Sequence, residues 1–216
     1  TRRDLMSLPD FLLNGPKSST TTVVLAHGAG APMNSLYMQA FAKGLAYRGF
    51  QVVRFEFPYM HERCQTGIKK PPNRAPILLE TWAAVIDHFR PDNLIIGGKS
   101  MGGRMASMSA AEYELKNTPV KGVVCLGYPF HPTGKPEKLR TEHLISLKTP
   151  TLICQGERDT LGTLEDVKSY SLSKSIRYHW LTDGDHGFKP RKKSGVTEQQ
   201  NWDSAMDAIA TFAGDL

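Results

Sequence analysis

Short apolar runs alternate with longer amphipathic segments along most of the sequence, and this alternation limits the possible fold more than any other feature. The runs have the length of buried strands, and the segments between them carry apolar residues at helical spacing, as in Leu78–Phe89. Strands that alternate with helices connect as parallel βαβ units, which form a sheet with helices on both faces. The sequence therefore predicts an α/β fold with a mostly parallel central sheet.

The predicted elements follow one another without a break in pattern. The strands are Thr22–Ala26, Phe50–Phe57, Asn93–Gly97, Val120–Gly127, Pro150–Gln155 and Ile176–Leu181. The helices are Leu36–Tyr47, Leu78–Phe89, Met101–Tyr113, Leu164–Leu172 and Thr197–Phe212. Because no internal repeat, low-complexity tract or long linker divides the chain, we expect one domain over residues 1–216.

The composition excludes several classes of protein. With 40% hydrophobic and 22% charged residues, the 216-residue chain is typical of a soluble globular protein. Its longest apolar runs are far shorter than the roughly 20 residues of a membrane span, and no secretory signal opens the sequence. Three cysteines exclude a complete disulfide framework. Cys125 and Cys154 lie in apolar strands, whereas Cys64 lies in a polar segment, so we predict a cytoplasmic protein without membrane contact.

The segment Gly98-Lys-Ser-Met-Gly102 matches the pattern G-x-S-x-G between a predicted strand and a predicted helix. A serine on a sharp strand-to-helix turn adopts strained backbone angles, so the residues two before and two after it must be small. The following helix directs its N-terminal N–H groups toward the reacting oxygen. The motif therefore predicts Ser100 as a nucleophile.

Two other interpretations of this segment compete with a nucleophile. Gly-Lys-Ser also occurs in phosphate-binding P-loops, but that motif requires a glycine five residues before Gly98, where Asn93 stands. The segment is also compatible with a tight glycine-rich turn that carries no chemistry. The presence of catalytic partners for Ser100 decides between this plain turn and a nucleophile.

A serine nucleophile needs a base, and in this arrangement the base is a histidine that comes last along the chain. His186 follows the last predicted strand in a flexible turn and is the predicted base. His179 alternates within a strand, while His131 and His143 flank a loop rich in proline and lysine. Those three positions suit a sheet residue or, at most, a substrate contact.

The base must be oriented by an acid, and Asp159 lies just beyond the carboxyl end of a predicted strand. Asp183 and Asp185 are so near His186 in sequence that they rarely reach its ring nitrogen with suitable geometry. Glu157 comes earlier in the same turn as Asp159. Asp159 is therefore the predicted acid.

An oxyanion intermediate needs preorganised N–H donors. We expect one from the backbone of Met101 and the other from Ala29, or less favourably Gly30, in the glycine-rich loop after the first predicted strand. His27, in the same loop, is predicted to brace the backbone and not to act as a second base. Three residues are expected beside the substrate: Gly30, Phe130 and His131.

These elements, in this order, resemble the α/β-hydrolase fold over residues 22–216. The segments 27–32, 97–104 and 156–159 look like the small, capless, dienelactone-hydrolase-like group, and most nearly the branch shared with the testis-expressed hydrolase-like proteins of eukaryotes. The resemblance implies no cofactor and a catalytic triad of Ser100, Asp159 and His186. Dienelactone hydrolases carry a cysteine nucleophile, and Ser100 departs from that pattern.

The remaining patterns bear on metals and partners. The histidines show no H-E-x-x-H spacing and the cysteines no C-x-x-C pair, so no metal site is expected. Segments 58–76, 128–143 and 187–198 carry net charges of +3, +1 and +3, whereas the whole chain carries +6. This basic rim favours an anionic substrate, and a solvated, mobile surface is the alternative. Because few aromatic residues accompany the charges, nucleic acid is not expected as a partner.

The sequence thus predicts a serine hydrolase that cleaves a small-molecule carboxylic ester or thioester through an acyl-enzyme intermediate. The segment 128–149 has only 22 residues, so we expect a small lid and an open site. The alternative is a non-catalytic interaction protein that retains the hydrolase scaffold, although a scaffold has no need of Ser, Asp and His in this order.

Overall fold

A seven-stranded sheet forms the framework of the protein in the computed structural model, which describes residues 7–89 and 93–216. The strand order is β1-β3-β2-β4-β5-β6-β7, and every neighbouring pair is parallel except β1 with β3. The predicted domain span of 1–216 also takes in residues 1–6 and 90–92, which lie outside the described residues.

The elements alternate as the apolar pattern requires. The strands are β1 (Phe11–Asn14), β2 (Thr22–Ala26), β3 (Gln51–Phe55), β4 (Leu94–Lys99), β5 (Gly122–Leu126), β6 (Thr151–Gly156) and β7 (Ile176–Leu181). The helices are α1 (Leu36–Tyr47), α2 (Pro58–Thr66), α3 (Ala75–Phe89), α4 (Met101–Leu115), α5 (Leu164–Lys168) and α6 (Glu198–Gly214). Two short 3₁₀ turns are Glu142–Leu144 and Lys192–Ser194.

Each strand sends alternate side chains to opposite faces of the sheet, and each face is covered by helices. Val24 of β2 belongs to the apolar cluster under α3 and α4, whereas its neighbour Val23 belongs to the cluster under α1 and α6. Both side chains are fully buried. Burial on both faces explains why the strands are continuous apolar runs, and it confirms the predicted α/β architecture.

The predicted elements agree with the structure to within a few residues, and two elements were missed. β1 is a four-residue antiparallel strand at the sheet edge, too short and too exposed to show a pattern. Helix α2 begins at Pro58, directly after the predicted strand Phe50–Phe57. Proline is well suited to the first turn of a helix, and Gly67 ends α2 in the left-handed conformation.

The order of the strands determines where a ligand site forms. From β2 the chain first crosses to β3 on one side and then returns to β4 on the other side. In open α/β sheets, the crevice beyond the carboxyl ends of the strands at such a switch point is the usual ligand site. The loops that follow β2 and β4 therefore meet at this crevice.

All three cysteines are free thiols in the structure. Cys125 and Cys154 are buried free thiols in β5 and β6, and Cys64 is an exposed thiol on α2. Over residues 7–89 and 93–216, no helix has both the length and the apolar character needed to cross a lipid bilayer.

Helix α4 packs unusually close to β2 because its first turn contains glycine. A methyl group placed on Gly102 would lie 2.5 Å from the carbonyl oxygen of His27, and one placed on Gly98, before the helix, would lie 2.3 Å from the carbonyl oxygen of Ala26. Both distances are well below van der Waals contact. Side chains larger than hydrogen at either position would push α4 away from the sheet.

We expect Gly102→Ala to lower the free energy of unfolding by about 1–3 kcal/mol, because the added methyl overlaps backbone that cannot move freely. Gly214→Ala is the matched control, since Gly214 is also helical and a methyl group there has open space. Alanine is the better helix former, so the control should be neutral or slightly stabilised. Urea unfolding of both variants measures the difference, and equal stabilities would contradict the close packing of α4.

Candidate active site

Ser100 lies on the sharp turn between β4 and α4, as the motif predicts. Its backbone has φ 51° and ψ −116°, a strained conformation for a residue with a side chain. The turn is held because the N–H of Ser100 donates a hydrogen bond to the carbonyl of Leu126, at 2.9 Å. The serine therefore stands at the carboxyl edge of the sheet with α4 starting directly behind it.

Three side chains from separate loops form a continuous series of hydrogen bonds. His186 Nε2 lies 2.9 Å from Ser100 Oγ, and His186 Nδ1 lies 2.7 Å from Asp159 Oδ2. Because a carboxylate only accepts hydrogen bonds, Nδ1 carries the proton and Nε2 of the neutral ring is the acceptor toward the serine hydroxyl. This is the orientation in which an imidazole can take the proton of Ser100.

Asp159 is fully buried, and its charge is compensated by hydrogen bonds. Besides His186, the backbone N–H of Leu161 donates to Oδ1 at 2.9 Å, and Gln155 Nε2 donates to Oδ2 at 3.1 Å. Gln155 is itself fully buried, and it also exchanges two hydrogen bonds with the backbone of Tyr128. Gln155 thus ties the acid to the loop after β5.

Sequence reasoning missed this role of Gln155, although a signal existed. It is a polar residue within an apolar strand and stands four residues before Asp159. A buried amide needs partners for its donors and acceptor, so its position predicts a structured polar neighbour.

The loop after β2 is held in place by a buried histidine of its own, His27. His27 is fully buried; its Nε2 accepts a hydrogen bond from the N–H of Phe57 at 3.1 Å, so its Nδ1 donates to the carbonyl of Gly28 at 2.7 Å. Burial lowers the pKa of His27, which keeps the ring neutral. His27 therefore braces the loop.

Helix α2 supplies two further donors to the same loop. The hydroxyl of Tyr59 donates to the carbonyl of Ala29 at 2.9 Å, and Arg63 Nη1 donates to the carbonyl of Gly30 at 3.0 Å. The N–H of Ala29 belongs to the same peptide unit as the carbonyl of Gly28, so His27 orients the predicted oxyanion donor, while Tyr59 and Arg63 fix the two peptide units that follow. Neither residue is identified from the sequence, because the helix that carries them is not among the predicted elements.

Lys99 stands directly before the nucleophile, and its side chain is partly buried with the ammonium group turned away from solvent. Its Nζ donates a hydrogen bond to the backbone carbonyl of His186 and lies 5.1 Å and 5.7 Å from the ring centres of Tyr37 and Phe188. Burial lowers the pKa of Lys99 to about 8, against the opposing effect of the nearby Asp159 and Asp185 carboxylates. Lys99 therefore connects the serine turn to the histidine loop.

Two cavities open on either side of Ser100, and Ala29 lines both. The first, of about 330 Å³, is here called the histidine-side cavity, and it is lined by Gly28–Ala31, Ser35, Tyr37, Met38, Lys99, Ser100 and His186. The second, of about 400 Å³, is called the arginine-side cavity, and it is lined by Ala29, Pro72, Asn73, Ala75, Leu78, Ser100, Met101, Arg104, Met105, Pro129, Arg140 and Leu161. A larger cavity, of about 650 Å³, lies between β7 and α6 and includes none of these residues.

Of the three residues expected beside the substrate, only Gly30 lines a cavity at Ser100. Phe130 is fully buried and packs against Tyr128 and Tyr170, because the segment after β5 folds inward over the apolar cluster. His131 is 4% exposed, and its Nδ1 lies 2.9 Å from the carbonyl of Pro132. The expectation for Phe130 and His131 therefore does not fit their positions.

The other two candidate histidines, His143 and His179, form hydrogen bonds to serines other than Ser100. His143 Nε2 lies 2.8 Å from the hydroxyl of Ser107, and burial together with the charge of Arg104 lowers the pKa of His143 to about 4. His179 Nε2 lies 2.8 Å from the hydroxyl of Ser204 on α6. Across the described parts of the chain, no three His, Cys, Asp or Glu side chains are grouped so as to hold a metal ion.

The buried Lys99 predicts a pH dependence of stability. Because folding lowers the pKa of Lys99 from 10.5 to about 8, the unfolded chain binds more protons between these pH values, and stability rises with pH there. Lys99→Met removes this contribution. We expect the wild type to gain about 1–2 kcal/mol relative to Lys99→Met as the pH rises from 8 to 10.5. Urea unfolding of both proteins across this range measures the change, and parallel pH curves would contradict a buried ammonium group.

Comparison with known proteins identifies the family and the fold. The family model described as "Alpha/beta hydrolase domain" matches residues 19–214. The structure is similar to an alpha-beta serine hydrolase homologue from Coxiella burnetii, with 18% identity, coverage of 95% of this chain and 90% of that one, and a TM-score of 0.66. A dienelactone hydrolase from Anabaena variabilis has 23% identity, coverage of 95% and 88%, and a TM-score of 0.63. A monoacylglycerol lipase from Paleococcus ferrophilus has 14% identity, coverage of 94% and 99%, and a TM-score of 0.68. The match over residues 19–214, together with the shared fold, shows that the chain belongs to the alpha/beta hydrolase domain family.

Proposed function

We propose that this protein is a serine hydrolase that cleaves a carboxylic ester or thioester of a small molecule through an acyl-enzyme intermediate. The observation that carries the proposal is the hydrogen-bonded series from buried Asp159 through His186 to Ser100, which starts from a carboxylate and ends on a hydroxyl at a strained turn. A structural serine has no need of this series, and a nucleophilic serine depends on it.

In the proposed mechanism, His186 Nε2 takes the proton of Ser100 Oγ while Oγ forms a bond to the carbonyl carbon of the substrate. The carbonyl oxygen becomes an oxyanion and is stabilised by the N–H groups of Met101 and Ala29. A single such donor contributes roughly 3 kcal/mol in the transition state. The imidazolium then gives its proton to the leaving alcohol or thiol as the carbon–leaving group bond breaks. Water repeats these steps on the acyl-enzyme and restores Ser100.

Two positions in the site support this division of roles. Met101 is the first residue of α4, so its N–H has no acceptor within the helix. Ala29 lies opposite, in the loop whose carbonyls are fixed by Tyr59 and Arg63. The positive end of α4 adds to the stabilisation of the oxyanion.

The subfamily of the protein and its location in the cell are proposals as well. We infer that the chain belongs with the small dienelactone-hydrolase-like enzymes and the testis-expressed branch, on the segments 27–32, 97–104 and 156–159. We infer further that it acts in the cytoplasm on a small molecule and not on nucleic acid. The serine hydrolase homologue and the lipase among its structural neighbours support hydrolysis as the reaction class.

Labelling with a fluorophosphonate, which reacts with activated serines, tests the nucleophile. We expect stoichiometric labelling of the wild type, complete loss in Ser100→Ala, and a decrease of about 10³-fold or more in the labelling rate of His186→Ala. Ser169→Ala, which removes an exposed serine in the loop after α5, is the matched control and should label like the wild type.

Two outcomes would contradict the assignment. Labelling that persists in Ser100→Ala would show that another residue is the nucleophile. Absence of labelling in folded wild-type protein, checked by its circular dichroism and unfolding transition, would favour the alternative of an interaction protein that keeps the hydrolase scaffold.

A further inference from the structure

We propose that Arg104 and Arg140 form an anion-binding subsite that receives a carboxylate carried on the acyl part of the substrate. This inference rests on the proposed hydrolase function and specifies the class of substrate for the same site. The ligand class is the half-ester or half-thioester of a dicarboxylic acid. Four observations carry it: the position of the two arginines, their lack of partners, the absence of acidic residues around them, and the place of His186.

Both arginines line the arginine-side cavity together with Ser100 and Met101. Arg104 is four residues after Ser100, so it lies on the same face of α4, one turn further along. Arg140 comes from the segment between β5 and β6. Its N–H donates to the carbonyl of Phe130 at 2.8 Å, and its carbonyl accepts from the hydroxyl of Tyr128 at 2.7 Å. Arg140 therefore projects from a backbone that is fixed on both sides.

Neither guanidinium has a partner among the described residues, since no carboxylate lies within 4.0 Å and no side-chain hydrogen bond is made. In particular, Nε of Arg104 is buried and unsatisfied. Buried donors in native proteins are rarely left without an acceptor. By contrast, four other arginines are paired with aspartate: Arg48, Arg158, Arg177 and Arg191.

The surroundings of the pair offer no compensating negative charge. None of the described residues that line the arginine-side cavity is acidic. Burial and then the charge of Arg104 lower the pKa of Arg140, as expected for a partly buried cation with a second cation nearby. A bound carboxylate would accept hydrogen bonds from both planar guanidinium groups and relieve their repulsion.

The two cavities have different roles because only one contains His186. The base that takes the proton of Ser100 must return it to the leaving group, so the leaving group lies beside His186 in the histidine-side cavity. The acyl part then extends into the arginine-side cavity, which is lined by Met101 and the two arginines but not by His186. The carboxylate is therefore expected on the acyl part of the substrate and not on the leaving alcohol or thiol.

This subsite differs from the basic rim inferred from the sequence. Among the described residues of the three basic segments, Arg140 is the one charged residue that lines the arginine-side cavity, while Lys70 and Arg191 form ion pairs with Glu62 and Asp183. Arg104, which the rim did not include, supplies the second charge. Selectivity for an anion is thus expected to come from two positioned guanidinium groups and not from a diffuse surface charge.

The experiment compares the mono-p-nitrophenyl ester of adipic acid with the corresponding p-nitrophenyl methyl diester, which has the same chain without the charge. After subtraction of the spontaneous rate, we expect the wild type to favour the anionic ester in kcat/KM by about tenfold or more, since hydrogen bonds between charged groups are stronger than those between neutral groups. Arg140→Gln and Arg104→Gln should each lower kcat/KM for the anionic ester about tenfold more than for the diester. Lys138→Gln, an exposed lysine of the same segment as Arg140, is the charge-matched control and should keep the wild-type preference.

The outcomes separate this inference from the proposed function. Turnover of the diester without preference for the anionic ester would overturn the subsite and leave the hydrolase assignment intact. A preference that falls equally in Lys138→Gln and Arg140→Gln would overturn it too, because the effect would then be one of surface charge. Failure to cleave either ester, combined with failure of Ser100 to react with fluorophosphonate, would overturn both.

Discussion

The close contact between α4 and β2 is the constraint on which the site depends. Glycines at 98 and 102 allow the turn after β4 to press against the backbone of Ala26 and His27, and the same approach brings the loop after β2 beside Ser100. The strain at Ser100 is supported by the packing of the whole sheet, which is why a positive φ is tolerated there. One packing contact thus joins the nucleophile to the loop proposed to stabilise the oxyanion.

A second requirement is the burial of a charge. Asp159 is removed from solvent, and three hydrogen-bond donors, from His186, Leu161 and Gln155, replace its hydration. Gln155 extends this network to the backbone after β5, and Lys99 extends it to the carbonyl of His186. The imidazole is therefore held by its ring nitrogens and by its own backbone. Such support limits the orientations open to His186, as a proton-transferring group requires.

Much of the fold and of the site was predictable because the relevant signals are local. Continuous apolar runs identify strands buried on both faces, and the small residues around Ser100 identify a tight turn. The order of Ser100, Asp159 and His186 along the chain then selects these residues among several acids and histidines. In the structure, hydrogen bonds join Asp159 to His186 and His186 to Ser100, which are the three residues that this order selects.

What could not be predicted depends on contacts between distant segments. Phe130 and His131 stand next to a strand end, where a substrate contact is reasonable, but the chain turns them into the apolar interior. Arg104 shows no special feature in the sequence; its meaning comes from Arg140, which reaches the same cavity from another segment. The donors from α2 were hidden because a proline after an apolar run is compatible with either the end of a strand or the start of a helix, and Pro58 starts a helix.

The central claim is that Ser100 forms a covalent acyl-enzyme, and mass analysis of the acid-quenched reaction with a p-nitrophenyl ester tests it most directly. In the wild type, we expect the peptide containing Ser100 to gain the mass of the acyl group within the first turnover. Ser100→Ala should show neither this adduct nor ester hydrolysis above the spontaneous rate. An acyl group found on a different residue, or hydrolysis by Ser100→Ala at the wild-type rate, would contradict it.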